Sequence, residues 1–411
     1  MRILHVVPSV GRASGGLGPV ALGLAGAQRQ LGHHSEVWCL DYRDGSSAVA
    51  ASGEGQQFVR VFPITGPRFA GFSWPLQRAL LARETRFDVV HQHGIWLAQS
   101  LCTSLCRSRR GWPTIVAPHG SLDPYALRRS RWKKWLALRA YEGRNLRSAS
   151  CLHALSEAES ASFRAFGLRN RVASIANGIS AEWLDGSGCA ERFRESIGLP
   201  RGTRVLLYLS RIHPKKGLPM LLDALHLLGD GFPREWMLVI AGPDEAGHQA
   251  DIERQAIELG LDRSVRFVGP VYERRKRDAF AAADLFVLPS HSEGAPIVIL
   301  EALGAGVPVI ATRASPWREL GSESCGWWVE VSAEGLAAAL SDALSRRKPD
   351  LAAMGANGRR LVVEKYTWRA VAAQTLDLYS DLLGEAPRAG TVASRARRAE
   401  APSPGGRAIV G

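Results

Sequence analysis

Short runs of Val, Ile and Leu alternate with amphipathic stretches along most of the chain. Helical periodicity marks 17–31, 96–109 and 131–148 in the first half. The apolar runs around these stretches predict strands over 2–7, 35–40, 59–64, 87–91, 113–117, 151–155 and 171–176. Continuous apolar strands joined by crossover helices are typical of parallel sheets that are covered on both faces.

A second series of strands and helices follows after about residue 200. Its predicted strands are 205–210, 236–241, 265–268, 285–289, 307–311 and 327–329. Glycines and a proline interrupt the pattern between the two series, at 180–200. The predicted fold class is therefore α/β, with two doubly wound, Rossmann-like domains that face each other. The carboxyl ends of their strands would meet at a shared central cleft, where sheets of this kind bind ligands.

These breaks divide the chain into four parts. A first domain is predicted over 1–185 and a second over 200–366. The segment 367–384 is helical, with an apolar face of leucines and a tyrosine. Residues 385–411 are rich in Pro, Gly, Ala and Arg without any periodicity, which predicts a disordered tail.

Composition adds a charge bias and an expectation about the cellular compartment. The 411 residues carry a net charge of +13, which favours phosphate-rich partners, with a general Arg-rich bias as the alternative. Six cysteines without a C-x-x-C pair or a Cys–His cluster predict buried free thiols. The apolar run at 2–7 is shorter than the core of a signal peptide, and no run of 18 apolar residues occurs. The expected location is the cytoplasm.

A glycine-rich turn over 11–18 follows the first predicted strand and includes Gly15 and Gly16. Backbone N–H groups at such a strand–helix junction can meet an anion. A nicotinamide site is one alternative, with Asp41 as a ribose-binding acid and Tyr272 and Lys276 in Y-x-x-x-K spacing. The glycine spacing is not G-x-G-x-x-G, however, so a loop that closes over an acceptor or a phosphate is the favoured interpretation.

Two cations lie in the loop that follows the first strand of the second domain. Arg211 and Lys216, five residues apart, stand at the carboxyl end of that strand. Such a pair can hold a diphosphate and neutralise its charge as it leaves. A solvated basic loop is the alternative.

A second loop of the same domain carries two acids. Glu293 and Gly294 follow a buried strand, and Pro296 suits the first turn of the next helix, where free amides can face an anion. Glu301 lies further along that helix on an otherwise apolar surface. Because a bare buried carboxylate is costly, Glu301 must find donors, and ribose hydroxyls would serve. A structural ion pair is the alternative.

Two features of the first domain remain. His119, followed by a glycine, ends a predicted strand and can bond a sugar hydroxyl or steady charge at a reacting carbon. The stretch 125–147 is strongly basic and interleaved with Trp132, Trp135 and Tyr141. It can rest on an anionic membrane, contact nucleic acid, or simply pack its aromatic side chains into the core. No recognition motif for nucleic acid accompanies the charge, so a nucleic-acid partner is not expected.

Taken in order, these motifs resemble the retaining glycosyltransferases of family 4, the group 1 enzymes with the GT-B fold, over about residues 1–384. The resemblance is strongest in the E-x₇-E pair of Glu293 and Glu301. Around 118–136, the chain is also similar to family members that build bacterial surface polysaccharides. The other motifs that carry it are Gly15-Gly16, Pro118-His119-Gly120, Asn177-Gly178-Ile179, Arg211 with Lys216-Gly217, Ala241-Gly242-Pro243 and Ala305-Gly306-Val307-Pro308.

The resemblance implies a role for each candidate residue. Arg211 and Lys216 would bind the diphosphate of a UDP- or GDP-sugar, Glu301 its ribose, and Glu293 its sugar. His119 would lie near the reacting carbon. The remaining donor contacts would come from the turn formed by Gly294, Ala295, Pro296 and Ile297.

The resemblance also implies the reaction and its partners. No cofactor and no metal are expected. The first domain would bind a saccharide or lipid-linked acceptor, with peripheral contact to an anionic membrane, and helix 367–384 would cross back onto it. The anomeric configuration would be retained. A nucleotide-sugar epimerase or hydrolase on the same fold, and a non-enzymatic sugar- or nucleotide-binding protein, are the alternative functions.

Overall fold

The computed structural model of the protein describes residues 1–11, 16–51, 58–128, 130–229, 232–245 and 247–384. Gly15 of the glycine-rich turn and the predicted tail 385–411 lie outside the described residues. Both predicted series of strands are found, and each forms its own parallel sheet.

The first sheet has seven parallel strands in the order β3-β2-β1-β4-β5-β6-β7. Their apolar side chains are buried on both faces, which is why the strands show continuous runs in the sequence. All seven predicted strands are confirmed to within three residues at each end. They are β1 (Arg2–Val6), β2 (His34–Asp41), β3 (Val59–Pro63), β4 (Val89–His93), β5 (Thr114–Ala117), β6 (Cys151–Ala154) and β7 (Val172–Ser174).

The second sheet has six parallel strands in the order β10-β9-β8-β11-β12-β13. The order reverses between β8 and β11, so the loops after these two strands lie side by side at the carboxyl edge, as in other doubly wound sheets. The strands are β8 (Arg204–Leu209), β9 (Trp236–Ala241), β10 (Val265–Gly269), β11 (Leu285–Leu288), β12 (Val309–Thr312) and β13 (Gly326–Val329).

Helices cover both sheets. Those of the first half are α1 (Leu17–Gln30), α2 (Ser46–Ala51), α3 (Trp74–Leu81), α4 (Gln99–Arg110), α5 (Pro124–Arg128), α6 (Arg131–Ala137), α7 (Gly143–Ser148), α8 (Glu157–Ala165) and α9 (Ala190–Ser196). Those of the second half are α10 (Leu218–Leu227), α11 (His248–Glu258), α12 (Glu273–Ala282), α13 (Ile297–Gly304), α14 (Glu319–Ser322), α15 (Ala333–Ser345), α16 (Lys348–Lys365) and α17 (Trp368–Leu382). Among the helices that the structure describes, none is long and apolar enough to cross a bilayer.

The helix predicted over 131–148 is interrupted by one π-helical turn, Leu138–Glu142. Gly143 permits it, because a Cβ there would lie 2.6 Å from the Leu138 carbonyl oxygen. The turn directs Glu142 into the core, where its carboxylate accepts hydrogen bonds from the Trp96 amide (2.7 Å) and from Asn145 (2.9 Å).

The last helix, α17, packs against the first sheet. Its residues Val371, Leu376 and Tyr379 share a core with Ile3 of β1 and Leu24 of α1. The helix starts beside the 177–179 turn, since Ile179 pairs with Thr367. The chain thus returns from the second sheet to the first before it reaches residue 384.

Candidate active site

The loop that follows β8 abuts the loop that follows β11. Gly217 has φ +71°, and a Cβ there would lie 2.0 Å from the carbonyl oxygen of Pro289. The His291 amide donates to the carbonyl of Lys215 at 2.9 Å. Because only glycine fits both the backbone conformation and the close approach, Gly217 fixes the position of Lys216 relative to the second loop.

Lys216 and Glu293 form the centre of the site. The Lys216 Nζ lies 2.5 Å from Glu293 Oε1, and the same oxygen accepts a hydrogen bond from the Ser290 hydroxyl at 2.6 Å. Both charged side chains are about nine-tenths buried. The structure therefore brings together the second predicted cation and the first predicted acid, at the carboxyl edge of the sheet.

Arg211 is engaged by an acid that the sequence did not single out. Its guanidinium donates to both carboxylate oxygens of Glu245, at 2.8 and 3.0 Å. The hydrogen bond from Arg211 lowers the pKa of Glu245, and the charges of His213 and Lys216 act in the same direction. Both predicted cations, Arg211 and Lys216, thus favour the charged form of Glu245. More than half of the Arg211 side chain is exposed to solvent.

The turn at 242–244 fixes the position of the loop that carries Arg211. The Ile212 amide donates to the Pro243 carbonyl at 2.9 Å, and the Glu245 amide donates to the Ile212 carbonyl at 3.1 Å. A Cβ at Gly242 would lie 1.8 Å from the carbonyl oxygen of Ser210. The glycine therefore allows the two loops to approach and places Glu245 opposite Arg211.

Glu301 lies in α13 and is paired with Lys276 of α12, whose Nζ is 2.5 Å from Glu301 Oε2. Burial raises the pKa of Glu301, and the nearby Lys276 cation opposes that shift. An ion pair, the structural alternative considered for this acid, is thus present. Glu301 Oε2 is buried with the Lys276 ammonium beside it, and no protein donor within the described residues bonds Oε1. In the Y-x-x-x-K spacing, Lys276 is thus the ion-pair partner of Glu301, whereas Tyr272 is exposed.

The turn that leads into α13 presents free backbone donors. The helix starts at Ile297, and Pro296 precedes it with no side-chain cap. Within the described parts of the chain, the amides of Gly294, Ala295 and Ile297 have no protein acceptor. Unpaired amides at the start of a helix, next to a lysine, form a favourable environment for an anion.

His119 is held on the first sheet in a left-handed conformation, with φ +52°. Its neighbour Gly120 donates its amide to Glu159 at 2.6 Å, and Glu159 also accepts from the Leu155 amide at 2.8 Å. Ser156 caps helix α8 by accepting a hydrogen bond from the Glu159 amide. Glu159 therefore connects the start of α8 to the loop that carries His119.

One ring nitrogen of His119 points into the protein, where His119 Nε2 lies 3.1 Å from His93 Nδ1. Burial lowers the pKa of His119 to about 3, so the ring is neutral near pH 7. No hydrogen bond or ion pair within the described residues joins His119 directly to Glu293. Gly16 lies in the first domain immediately before α1, at the N-cap of that helix.

The aromatic residues of 125–147 divide into two groups. Trp132 and Trp135 are 66% and 56% exposed, so the alternative that they pack into the core is wrong for these two. Lys133 and Arg139 lie over their rings, at 5.5 and 5.1 Å from the centroids. Tyr141 is half-buried and donates to the Trp96 carbonyl at 2.9 Å. The exposed tryptophans and their cations form an amphipathic surface on the first domain.

Both halves of the chain match models of glycosyltransferase domains. Residues 15–178 match the glycosyl transferase 4-like domain, and residues 190–361 match the glycosyl transferases group 1. A D-inositol 3-phosphate glycosyltransferase 2 of Catenulispora acidiphila is 31% identical over 305 residues, which are 72% of this chain and 70% of that protein. The chain belongs to the group 1 glycosyltransferases.

Other relatives of this glycosyltransferase extend over nearly the whole chain. The GDP-mannose:cellobiosyl-diphosphopolyprenol alpha-mannosyltransferase of Xanthomonas oryzae pv. oryzae is 27% identical over 397 residues, 93% of this chain and 98% of that protein. The crystal structure of Anabaena Alr3699/HepE in complex with UDP superposes with a TM-score of 0.73 at 20% identity, covering 93% and 100% of the two chains. The predicted GT-B fold and the predicted enzyme class are thereby confirmed.

Proposed function

We propose that this glycosyltransferase moves a sugar from a nucleoside diphosphate to a saccharide acceptor carried on a lipid, at an anionic membrane surface. The observation that carries the proposal is the buried Lys216–Glu293 pair beside the free amides of the 294–297 turn. A cation, a carboxylate and unpaired amides at one sheet edge match the diphosphate and the hydroxyl groups of a sugar nucleotide.

Each side chain has a distinct part in donor binding. Lys216, Arg211 and the amides of Gly294 to Ile297 take the diphosphate and compensate its charge as the bond to the anomeric carbon breaks. Glu301 accepts from a ribose hydroxyl through Oε1 while Oε2 keeps Lys276. Glu293 accepts from the hydroxyl groups of the transferred sugar. The charge on the leaving diphosphate is met by cations and amides, so the proposed reaction needs no metal.

Transfer occurs on the face of the sugar that the diphosphate leaves, so the anomeric configuration is retained. The acceptor hydroxyl forms the new bond to the anomeric carbon, and its proton passes to the departing diphosphate oxygen. Neutral His119 accepts a hydrogen bond from a sugar hydroxyl beside the reacting carbon. This step requires no covalent intermediate.

The proposed acceptor combines a saccharide with a lipid diphosphate. The long Xanthomonas oryzae relative is named for an acceptor of this class. In this chain, a cavity of about 580 Å³ is lined by residues of α5, α6 and α8, among them Arg131, which precedes Trp132 in the sequence. Its wall includes apolar Leu127 and Phe166, and Arg128 and Arg131 stand at the same cavity. An apolar wall with two cations suits an isoprenoid chain and its phosphate groups.

Donor binding can be tested by thermal unfolding with UDP, GDP and ADP, each alone. We expect one of them, at about 100 times its Kd, to raise the melting temperature by about 5 °C. The shift should disappear in Lys216→Met and persist in Arg313→Met, which removes an exposed cation paired with Glu330. If none of the three nucleotides raises the melting temperature, the donor site is wrongly assigned. Release or epimerisation of the donor sugar without acceptor would favour the alternative enzyme classes.

Membrane contact can be tested by flotation with vesicles of phosphatidylglycerol and phosphatidylcholine. We expect the protein to float with anionic vesicles and to stay at the bottom with pure phosphatidylcholine, because both charge and tryptophans contribute. The double variant Trp132→Ser and Trp135→Ser should bind at least about tenfold more weakly. Trp74→Ser is the matched control, since Trp74 is also 57% exposed but lies outside the stretch. Equal flotation of both variants would refute the assignment of this surface.

A further inference from the structure

A chain of hydrogen-bonded histidines runs through the first sheet, behind His119. His119 contacts His93, whose Nε2 lies 2.9 Å from His5 Nδ1. His5 in turn contacts Gln28 Oε1 at 2.8 Å. We call this the inner chain. Its strand residues are fully buried, and His5 and His93 come from the two central strands β1 and β4.

A second branch of hydrogen bonds reaches Gln28 through Thr375 and Tyr379 and fixes the orientation of the Gln28 amide. Thr375 donates its proton to the Ala372 carbonyl at 2.9 Å. Tyr379 contacts His91 Nδ1 at 2.7 Å. On the other side of His91, His153 Nδ1 lies 3.2 Å from His91 Nε2, and His153 Nε2 lies 2.7 Å from the Ile175 carbonyl.

The proton positions in this branch follow from the carbonyl at its end. A carbonyl only accepts, so His153 Nε2 carries hydrogen and its Nδ1 accepts from His91 Nε2. His91 Nδ1 must then accept from Tyr379. Because the hydroxyl protons of Thr375 and Tyr379 are both used, their oxygens accept, and Gln28 points its NH₂ group at them, at 3.3 and 3.4 Å.

The same accounting then determines the inner chain. With its NH₂ group turned away, Gln28 presents its oxygen to His5, so His5 carries hydrogen on Nε2 and accepts on Nδ1. His93 must therefore donate from Nε2 and accept on Nδ1. His119 donates from Nε2 to His93, which leaves its Nδ1 without hydrogen. This Nδ1 has no partner within the described residues.

A metal ion does not fit these histidines in this state. The ligand atoms of His5, His91 and His93 lie within 4.8 Å of one another. Both ring nitrogens of each of the three are already committed to hydrogen bonds. Coordination would break several of these buried bonds and leave partners unsatisfied, which costs about 1–3 kcal/mol for each.

We propose that His93 and His5 are positioning residues that hold His119 as its Nε2–H tautomer, so that Nδ1 is an obligatory acceptor for a sugar hydroxyl. The chain extends through Gln28 to Thr375 and Tyr379 and so ties the orientation of His119 to the docking of helix α17. Its consequence for turnover rests on the proposed function, whereas the tautomer does not. Burial lowers the pKa of His5 to about 4 and that of His93 well below its ordinary value, which keeps the chain neutral.

The tautomer can be measured without substrate, by ¹⁵N–¹H correlation spectra of the full chain labelled at histidine. We expect His119, assigned by its loss in His119→Asn, to show hydrogen on Nε2 and an unprotonated Nδ1. In His93→Phe, which removes the acceptor, the ring should become a mixture of tautomers. His93→Gln retains one acceptor and one donor and should restore the Nε2–H form. A pure Nδ1–H tautomer in the wild type, or one metal ion bound per chain in the purified protein, would overturn the assignment.

Values of kcat and KM for variants distinguish a role of His93 in positioning His119 from general damage to the core. His93→Phe should lower kcat by about 10- to 100-fold with a small change in KM, as for other groups that orient a functional histidine. Gln92→Leu is the matched control, because Gln92 is equally buried and adjacent to His93 on β4 but bonds Gly94 and Ser100, outside both branches. We expect Gln92→Leu to reduce stability and to change kcat by less than about threefold.

A double-mutant cycle decides whether His93 acts through His119. In the His119→Ala background, His93→Phe should have little further effect on kcat, because there is no imidazole left to orient. Additive losses would refute the positioning role even if both residues are needed. Should the protein fail to transfer sugar at all, the tautomer measurements still test the chain, so failure of the proposed function can be recognised separately.

Discussion

Replacing Glu293 by glutamine is expected to lower kcat/KM for sugar transfer by about 100- to 1,000-fold, the usual loss when one preorganised polar group is removed from a reaction site. The carboxylate shares Oε1 between Lys216 and Ser290. Glutamine keeps the shape and can still accept one hydrogen bond, but it leaves the Lys216 charge without compensation. The donor sugar would then contact a displaced Lys216 and the neutral amide of the glutamine. Initial rates with the donor found by thermal unfolding provide the measurement.

A matched control distinguishes this loss from a general effect of removing a paired acid. Glu330→Gln removes the acid of another ion pair of the same domain, with Arg313, but both of those side chains are more than half exposed. It should retain wild-type kcat/KM, since exposed pairs contribute about 0–1 kcal/mol. Glu293→Gln should remain folded by circular dichroism. Full activity in that variant would refute the assignment of Glu293.

The strands were predictable because they are buried on both faces. Runs such as Val205 to Leu209 contain no polar position to obscure the pattern, so the strand ends were found to within three residues. The π-helical turn was not predictable. It depends on a close contact between Gly143 and Leu138 and on a buried site for Glu142, neither of which changes the periodicity of the sequence.

The candidate site was predictable where it depends on position along a strand and not where it depends on pairing between distant loops. Lys216 and Glu293 each follow a strand of the same sheet, so their meeting follows from the carboxyl-edge rule. The partners of Arg211 and Glu301 are Glu245 and Lys276. These pairs depend on how loop and helix approach each other, and the spacing of residues carries no signal for that.

The histidine chain did leave a signal in the sequence. Histidines at 5, 91, 93 and 153 interrupt runs that are otherwise apolar, and a buried polar side chain requires partners. Their mutual contact depends on the strand order β2-β1-β4-β5-β6, in which His5 is paired in register with His91. Without that order, each histidine looks like an isolated exception.

These histidines also predict a steep loss of stability in acid. Burial lowers the pKa of His5 to about 4 and that of His119 to about 3, and it lowers the pKa of His91, His93 and His153 as well. The folded state therefore binds fewer protons than the unfolded chain, in which histidine has its ordinary pKa of 6.5. Their contribution to stability is fully present above about pH 6.5 and is lost as the pH falls below it.

The size of the effect depends on how many groups titrate in the same window. Each of the five histidines removes up to about 1.4 kcal/mol per pH unit, or about 7 kcal/mol together. Buried Glu142, Glu159 and Glu301 have raised pKa values and oppose this by up to about 4 kcal/mol per pH unit. The net slope of about 3 kcal/mol per pH unit is large against a typical stability of about 5–15 kcal/mol. At this slope a stability of about 5–7 kcal/mol is lost between about pH 4 and 5, so we expect acid unfolding to begin in that range.

Acid titration followed by circular dichroism, combined with urea unfolding at each pH, measures this slope directly. His153→Gln should lower the number of protons taken up on unfolding by about one, whatever its effect on stability, because one titrating group is gone. His226→Gln is the control, since His226 is exposed on α10 and outside the cluster. A wild-type slope below about 1 kcal/mol per pH unit from pH 6 to 4.5 would mean that the histidines charge within the folded protein. That result would contradict both their burial as neutral rings and the proton positions deduced for the inner chain.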